Sequence, residues 1–123
     1  MRRKIVAGNW KMNKTFAEAV EFIRQFNFLY EQIQLKDVIV IVAPGFPYLL
    51  ELRKSLEFKN SVFTAGQNCY CEDKGAYTGE ISAAMIRSVG ADYVIIGHSE
   101  RRIYFNENNS LLSKKLTRLC KAN

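Results

Sequence analysis

Residues 38–43 read VIVIVA, six apolar side chains in a row, closed by Pro44. A strand with one face in water alternates apolar and polar residues. An unbroken apolar run instead marks a strand covered on both faces, which is the habit of parallel sheets. Pro44 has no amide hydrogen with which to extend a ladder, and Pro47 suits the first turn of a helix running to about Leu56. The stretch reads as a strand followed by a helix.

The same unit recurs on both sides. KIVAGN at 4–9 reads as a strand, and Thr15 and Glu18 form a T-x-x-E capping box at a helix start. Phe16, Val20, Ile23, Phe26 and Tyr30 then follow at helical spacing, opposite Glu21, Arg24 and Gln25. VFTAGQ at 62–67 reads as a third strand. A long loop, NCYCEDKGAYTG, leads from it into the helix EISAAMIRSV, which Gly90 can end. YVIIG at 93–97 reads as a fourth strand, before a helix near 110–121 whose inner face is Leu112, Leu116, Leu119 and Cys120. Strand starts near 4, 38, 62 and 93 have the spacing of βα units. The alternation predicts an α/β fold with a parallel sheet and right-handed crossovers, with residues 1–123 as a single domain.

Composition narrows the function classes. At 123 residues the chain has the length of one domain, and 48% hydrophobic with 24% charged residues is ordinary for a soluble globule. No apolar run approaches the roughly 20 residues that span a bilayer. The start, MRRKIVAGNW, lacks the apolar stretch of a secretory leader, so a cytoplasmic protein with no membrane partner is expected. The net charge of +6 sits at the two ends, in Arg2, Arg3 and Lys4 and in Lys114, Lys115, Arg118 and Lys121. Residues 5–113 hold 11 basic against 12 acidic side chains, so nothing suggests a specific nucleic-acid partner, only nonspecific contact with polyanions.

Cys69, Cys71 and Cys120 are an odd number with no paired framework. The C-x-C at 69–71 is half of a metal site at most, and the only histidine, His98, lies elsewhere, so free thiols and no metal are expected. The sequence has no G-x-G-x-x-G, P-loop or H-E-x-x-H pattern, and no cofactor is expected.

Function in parallel βα folds gathers at the carboxyl ends of the strands. Asn9 and Lys11 follow the first strand, Gly45 the second, Gln67 and Asn68 the third, and His98, Ser99 and Glu100 the fourth. An amide, a cation, an imidazole and a carboxylate therefore share one rim. Each alone has a bland reading, a solvated lysine or a satisfied loop histidine. Their common edge is what points to a site.

GNWKMN at 8–13, GAYTGEIS at 75–82 and IIGHSERR at 95–102 resemble, in order and spacing, signature segments of the triosephosphate isomerase family. The resemblance runs along essentially the whole chain. It implies the (β/α)8 TIM-barrel fold, of which these residues would supply the first four βα units, since such a barrel takes about 250 residues. It also implies a cofactor-free aldose–ketose isomerisation of a triose phosphate through an enediolate, the glycolytic interconversion of glyceraldehyde 3-phosphate and dihydroxyacetone phosphate.

By that resemblance His98 is the electrophile that polarises the carbonyl, kept neutral by the backbone amides that open SERR. Lys11 stabilises developing negative charge and the phosphate, Asn9 donates to a substrate oxygen, and Glu100 holds the lysine in place. The loop 68–79 would reach into a second subunit of a homodimer, with Thr78 touching its site and Glu80 and Arg101 bridging the two. Two positions depart from the family's pattern: Gly45 stands where a second proline is usual, and Cys71 where an aromatic is common. Glu80 and Glu107 match no base motif, so the chain alone is expected to lack the base and to be inactive. The alternative is a non-catalytic half-barrel that acts only by self-association.

Overall fold

The computed structural model describes residues 3–33, 36–56 and 59–122. The basic start at Arg2 lies outside them. Four strands, β1 (Lys4–Asn9), β2 (Val38–Ala43), β3 (Val62–Gly66) and β4 (Tyr93–Val94), form one parallel sheet in the order β1-β2-β3-β4. Helices α1 (Phe16–Gln32) and α2 (Phe46–Leu56) follow the first two strands, and α3 (Ala83–Ser88) follows the third. After β4 come a short helix, α4 (Ser99–Tyr104), and a longer one, α5 (Asn109–Lys121). These are the first four units of a TIM barrel, a parallel half-barrel with its helices.

The ladder fixes which residues stand level at the rim. Lys4 to Asn9 pair in register with Val38 to Ala43, so Asn9 lies beside Ala43 at the carboxyl end. At the start of α1 the Glu18 carboxylate accepts from the Thr15 amide at 2.7 Å and from its hydroxyl at 2.9 Å, closing the turn that the T-x-x-E spacing anticipated.

One part of the core joins Trp10, Ala19, Ile23, Val42, Leu52, Leu56 and Val62, and the other joins Leu49, Cys69, Ile86 and Ala91. Trp10 meets Phe22 edge to face at 4.9 Å, so the lone tryptophan packs inward while its neighbour Lys11 faces the rim. Gly66 lets α3 come close, because a Cβ there would stand 3.0 Å from Ile86 Cδ1.

Burial corrects three expectations. On α1 the seam runs through Ala19, Phe22 and Ile23, whereas Phe16 and Val20 are 60% and 44% exposed. Ile23, Phe26 and Tyr30 keep the inner face that their spacing predicts, so the departure is confined to the start of the helix. β2 is covered less than its sequence suggests: Val38 to Ile41 are half-buried and only Val42 and Ala43 are fully buried. Its helix-facing side meets α1 and α2, and the described residues cover its other side incompletely. On α5, Leu116 is 53% exposed and Cys120 is exposed, while Lys115 is buried beside Leu112.

Helix α5 turns inward along Leu112, Lys115 and Leu119 because the Lys115 ammonium has partners waiting. Its Nζ donates to Glu107 Oε1 at 2.5 Å and to Asn68 Oδ1 at 2.7 Å. A buried ammonium with such partners outcompetes a leucine for the inner position. Leu116→Ala should therefore change the unfolding free energy by less than about 0.5 kcal/mol. Lys115→Ala takes one of two cations from the buried Glu107 carboxylate and the donor from Asn68 Oδ1, and should destabilise by roughly 3 kcal/mol. Urea titrations of the two variants check the ordering, which reverses if Leu116 is the inner residue.

Candidate active site

The segment after β1 is built by side-chain amides. Asn9 Oδ1 accepts from the Lys11 amide at 2.9 Å, and Asn13 Nδ2 donates to the Trp10 carbonyl at 2.8 Å. With Oδ1 so engaged, Asn9 has its Nδ2 left as a donor. Lys11 itself has φ 55°, in the left-handed region that residues other than glycine seldom occupy. The turn aims its side chain across the rim, where Nζ meets Glu100 Oε1 at 2.5 Å.

The fourth unit supplies the facing groups. Gly97, at φ 68°, turns the chain out of β4, and a Cβ there would meet Leu112 Cδ1 at 2.9 Å. His98 comes next and caps α4, its Nδ1 accepting from the Glu100 amide at 3.2 Å. A ring nitrogen that accepts carries no hydrogen, so in the neutral imidazole the hydrogen sits on Nε2. Glu100 Oε2 lies 3.6 Å from the same Nδ1, outside hydrogen-bond reach. The Lys11 hydrogen bond outweighs the opposing effect of burial and, with the charge of Lys11, holds the Glu100 carboxyl below the usual range. Glu100 is therefore ionised at neutral pH and keeps its grip on the ammonium.

Asn9, Lys11, Gln67, His98 and Glu100 line one cavity of about 590 Å³. Two carboxylates among the described residues line it, Glu80 and Glu100, and the second is engaged by Lys11. Gln67 reaches back from the end of β3, its Nε2 donating to the Lys11 and Ala43 carbonyls at 2.9 Å each.

The residues assigned by resemblance to subunit contact lie on and beside this rim. Thr78 and Glu80 are exposed, and their side chains make no hydrogen bond among the described residues. Arg101 is already occupied within the chain: its Nε donates to Glu107 Oε1 at 2.7 Å and its guanidinium covers Phe105, 4.4 Å from the ring centre. Arg118 of α5 braces the root of the loop, donating to the Cys71 carbonyl at 3.0 Å, Asp73 Oδ2 at 3.1 Å and Glu72 Oε2 at 2.8 Å. Burial pushes the Cys69 thiol up to about 11, which leaves it protonated and unreactive. Among the described residues no group of three or more His, Cys, Asp or Glu could hold a metal ion, and no helix is long and apolar enough to cross a membrane.

Sequence reading missed the polar quartet behind the rim, the buried Asn68, Glu107 and Lys115 with the half-buried Arg101. Its one signal was the spacing Leu112, Lys115, Leu119, a helical face with a lysine in it.

Parallel βα units with a polar, convergent rim at the carboxyl ends of the strands define a barrel-type α/β protein carrying its site there. The chain belongs to the triosephosphate isomerase family, whose sequence profile, described as Triosephosphate isomerase, matches residues 4–123. Curated relatives of that name agree. The protein from Alkaliphilus metalliredigens is 47% identical over 116 residues, covering 94% of this chain and 45% of its own length. That from Alkaliphilus oremlandii is 44% identical over 123 residues, covering 100% and 48%. That from Dictyoglomus turgidum is 47% identical over 116 residues, covering 94% and 45%. The chain spans about half the length of the curated relatives it matches.

The quartet around the buried Glu107 makes acid stability a test of this geometry. Burial pushes the Glu107 carboxyl up, but hydrogen bonds from Lys115 and Arg101 and their charges together pull it below its usual value. A carboxyl with a depressed folded-state pKa contributes stability that is fully present above its unfolded value of about 4.3 and lost as pH falls through the folded value. Glu107→Gln should thus destabilise the protein at about pH 7, and the gap to the parent should narrow at about pH 3.5. Urea unfolding at both values measures it. A gap that stays constant with pH would show that the carboxylate charge contributes nothing.

Proposed function

We propose that these residues form the electrophilic side of a cofactor-free isomerase that interconverts glyceraldehyde 3-phosphate and dihydroxyacetone phosphate. The observation that carries the reading is the meeting of Lys11 with Glu100 beside His98 and Asn9 in a single cavity. Moving a carbonyl along a three-carbon chain requires loss of a proton next to it, and the barrier lies in the negative charge that then grows on oxygen. A fixed ammonium, an imidazole N–H and an amide N–H aimed at that oxygen oppose the barrier without reorganising.

In this reading the carbonyl oxygen sits between His98 Nε2–H and the free Nδ2–H of Asn9. Lys11 faces both that oxygen and the phosphate, and Glu100 keeps the ammonium from swinging into solvent. The proton leaves carbon for a base that no residue of this chain is assigned to supply. The substrate, the pathway and the completed barrel all rest on family membership, because the relatives are about twice as long.

We assign the loop 68–79 to association with a second copy. Thr78 and Glu80 are exposed and their side chains make no hydrogen bond among the described residues, and Met12, Tyr104 and Phe105 present apolar surface at 98%, 74% and 61% exposure around the same cavity. Apolar exposure of that extent favours a protein partner.

Two measurements test the chemistry. The 123-residue chain by itself should give no turnover of glyceraldehyde 3-phosphate above buffer in a coupled dehydrogenase assay, because in this reading none of its residues serves as a base at the substrate carbon. Robust turnover that His98→Gln abolishes would refute this. In a chain completed to the relatives' length, Lys11→Ala should lower kcat/KM by about two orders of magnitude, on the order of 3 kcal/mol of lost oxyanion stabilisation. A near-parental rate removes Lys11 from the site.

A further inference from the structure

Lys11 is held by its backbone as much as by its ammonium. A left-handed φ of 55° is unfavourable for a residue with a Cβ, and it persists only where the surroundings impose it. Asn9 Oδ1 satisfies the amide of Lys11. Its carbonyl is taken by Gln67, a residue 56 positions away on a different βα unit.

Both hydrogens of the Gln67 Nε2 are committed, one to Lys11 O and one to Ala43 O, each at 2.9 Å. The Ala43 carbonyl also accepts the Trp10 amide at 3.0 Å, so it is a fixed point of the β1–β2 ladder. Gln67 therefore measures the Lys11 carbonyl against the sheet itself. The amide could not be turned over, because its oxygen would then face two carbonyl oxygens.

We propose that Gln67 is a positioning residue for the Lys11 ammonium, holding that lysine's backbone in its left-handed turn by clamping its carbonyl to the end of β2. The proposal rests on the reading of Lys11 as the cation of the active site. Gln67 lines the same cavity, but its bonded amide nitrogen acts on the backbone of Lys11 and so on the reaction only through that residue. Without the clamp the 10–12 segment can relax to negative φ, which carries Nζ away from the oxyanion position while leaving the lysine present.

The test is a cycle of variants in a chain completed to the relatives' length, read as kcat/KM for glyceraldehyde 3-phosphate and as thermal stability. Gln67→Met keeps the length of the side chain and removes both donors. It should lower kcat/KM roughly ten- to hundredfold, the scale of a misplacement of about 1 Å, with the larger part of the loss in kcat. In the Lys11→Ala background the same substitution should cost little further activity, because nothing remains to be positioned, while its effect on melting should be unchanged.

An equal loss of activity in both backgrounds would mean a structural role only and would overturn the proposal, as would unchanged activity in the Gln67→Met single variant. Parental activity in Lys11→Ala alone would overturn the reading of Lys11 beneath it, and that variant reports on the reading without reference to Gln67. Should Gln67→Met not accumulate as folded protein, Gln67→Asn carries the same comparison, since it keeps the amide and shortens its reach by one methylene.

Discussion

Strand direction is the constraint on which everything else depends. Four strands pointing the same way bring every carboxyl end to one rim, so Lys11 and Glu100 can meet although 89 positions separate them. The ladder that enforces this weakens across the sheet, from six paired positions between β1 and β2 to three and then two. The fourth unit is therefore held by other means. Asp92 returns to Thr64 through its amide at 3.0 Å and its carboxylate at 3.3 Å, and Arg53 of α2 donates to the Gly90 carbonyl at 2.7 Å. These bonds anchor the amino end of β4, and on the side toward His98 the Ile95 amide donates to the Gly66 carbonyl at 2.8 Å.

Behind the rim a second set of charges does what the short β4 cannot. Lys115, Glu107, Arg101 and Asn68 tie the last helix to α4 and to the start of the long loop, with Lys115 and Glu107 both buried. Burying two ions is unfavourable unless each is met by good partners, and replacing such a set with apolar groups often stabilises a protein. The set here specifies more than it stabilises. It links one residue just past Gln67 with another three positions beyond His98, so the third and fourth units share one geometry. Arg118, one turn of α5 further on, applies the same helix to the other end of the problem by gripping the 71–73 segment through three acceptors.

The sheet was legible in the sequence because VIVIVA and its companions are strong local signals whose spacing leaves one topology, although the fourth strand, expected over 93–97, is a strand only at Tyr93–Val94. The rim followed from topology alone: Asn9, Lys11, Gln67, His98 and Glu100 could be placed together without a coordinate. The helix faces were less legible. Phe16 and Val20 fit the apolar period of α1 as well as Ala19 and Phe22 do, and only the packing at the start of the helix decides between them. Leu116 and Cys120 looked like core on α5 because hydropathy ranks leucine and cysteine above lysine. The buried pairing of Lys115 depends on Glu107 and Asn68, which lie 8 and 47 positions away, beyond any local pattern. The clamp by Gln67 was out of reach for the same reason, since a glutamine at a strand end says nothing of which carbonyls it will find.

Two lysines of this half-barrel, Lys115 and Lys11, separate architecture from chemistry. Lys115 is 2% exposed, lies on a regular helix and spends its hydrogen bonds on protein oxygens, so it has little left to offer a ligand. Lys11 is the reverse: its side chain is half exposed, its backbone is in an unfavourable conformation, and its ion pair is a solvated one that adds little to stability. A strained residue in a weak pair is hard to account for as a support of the fold. It is readily accounted for if the ammonium must stand at a fixed place with a face left free, because a solvated pair restrains the group without saturating it. The unfavourable turn at Lys11 and the satisfied burial of Lys115 thus follow from one division of labour, in which the inner charges set the scaffold rigid enough to hold the outer one in a place it would not choose.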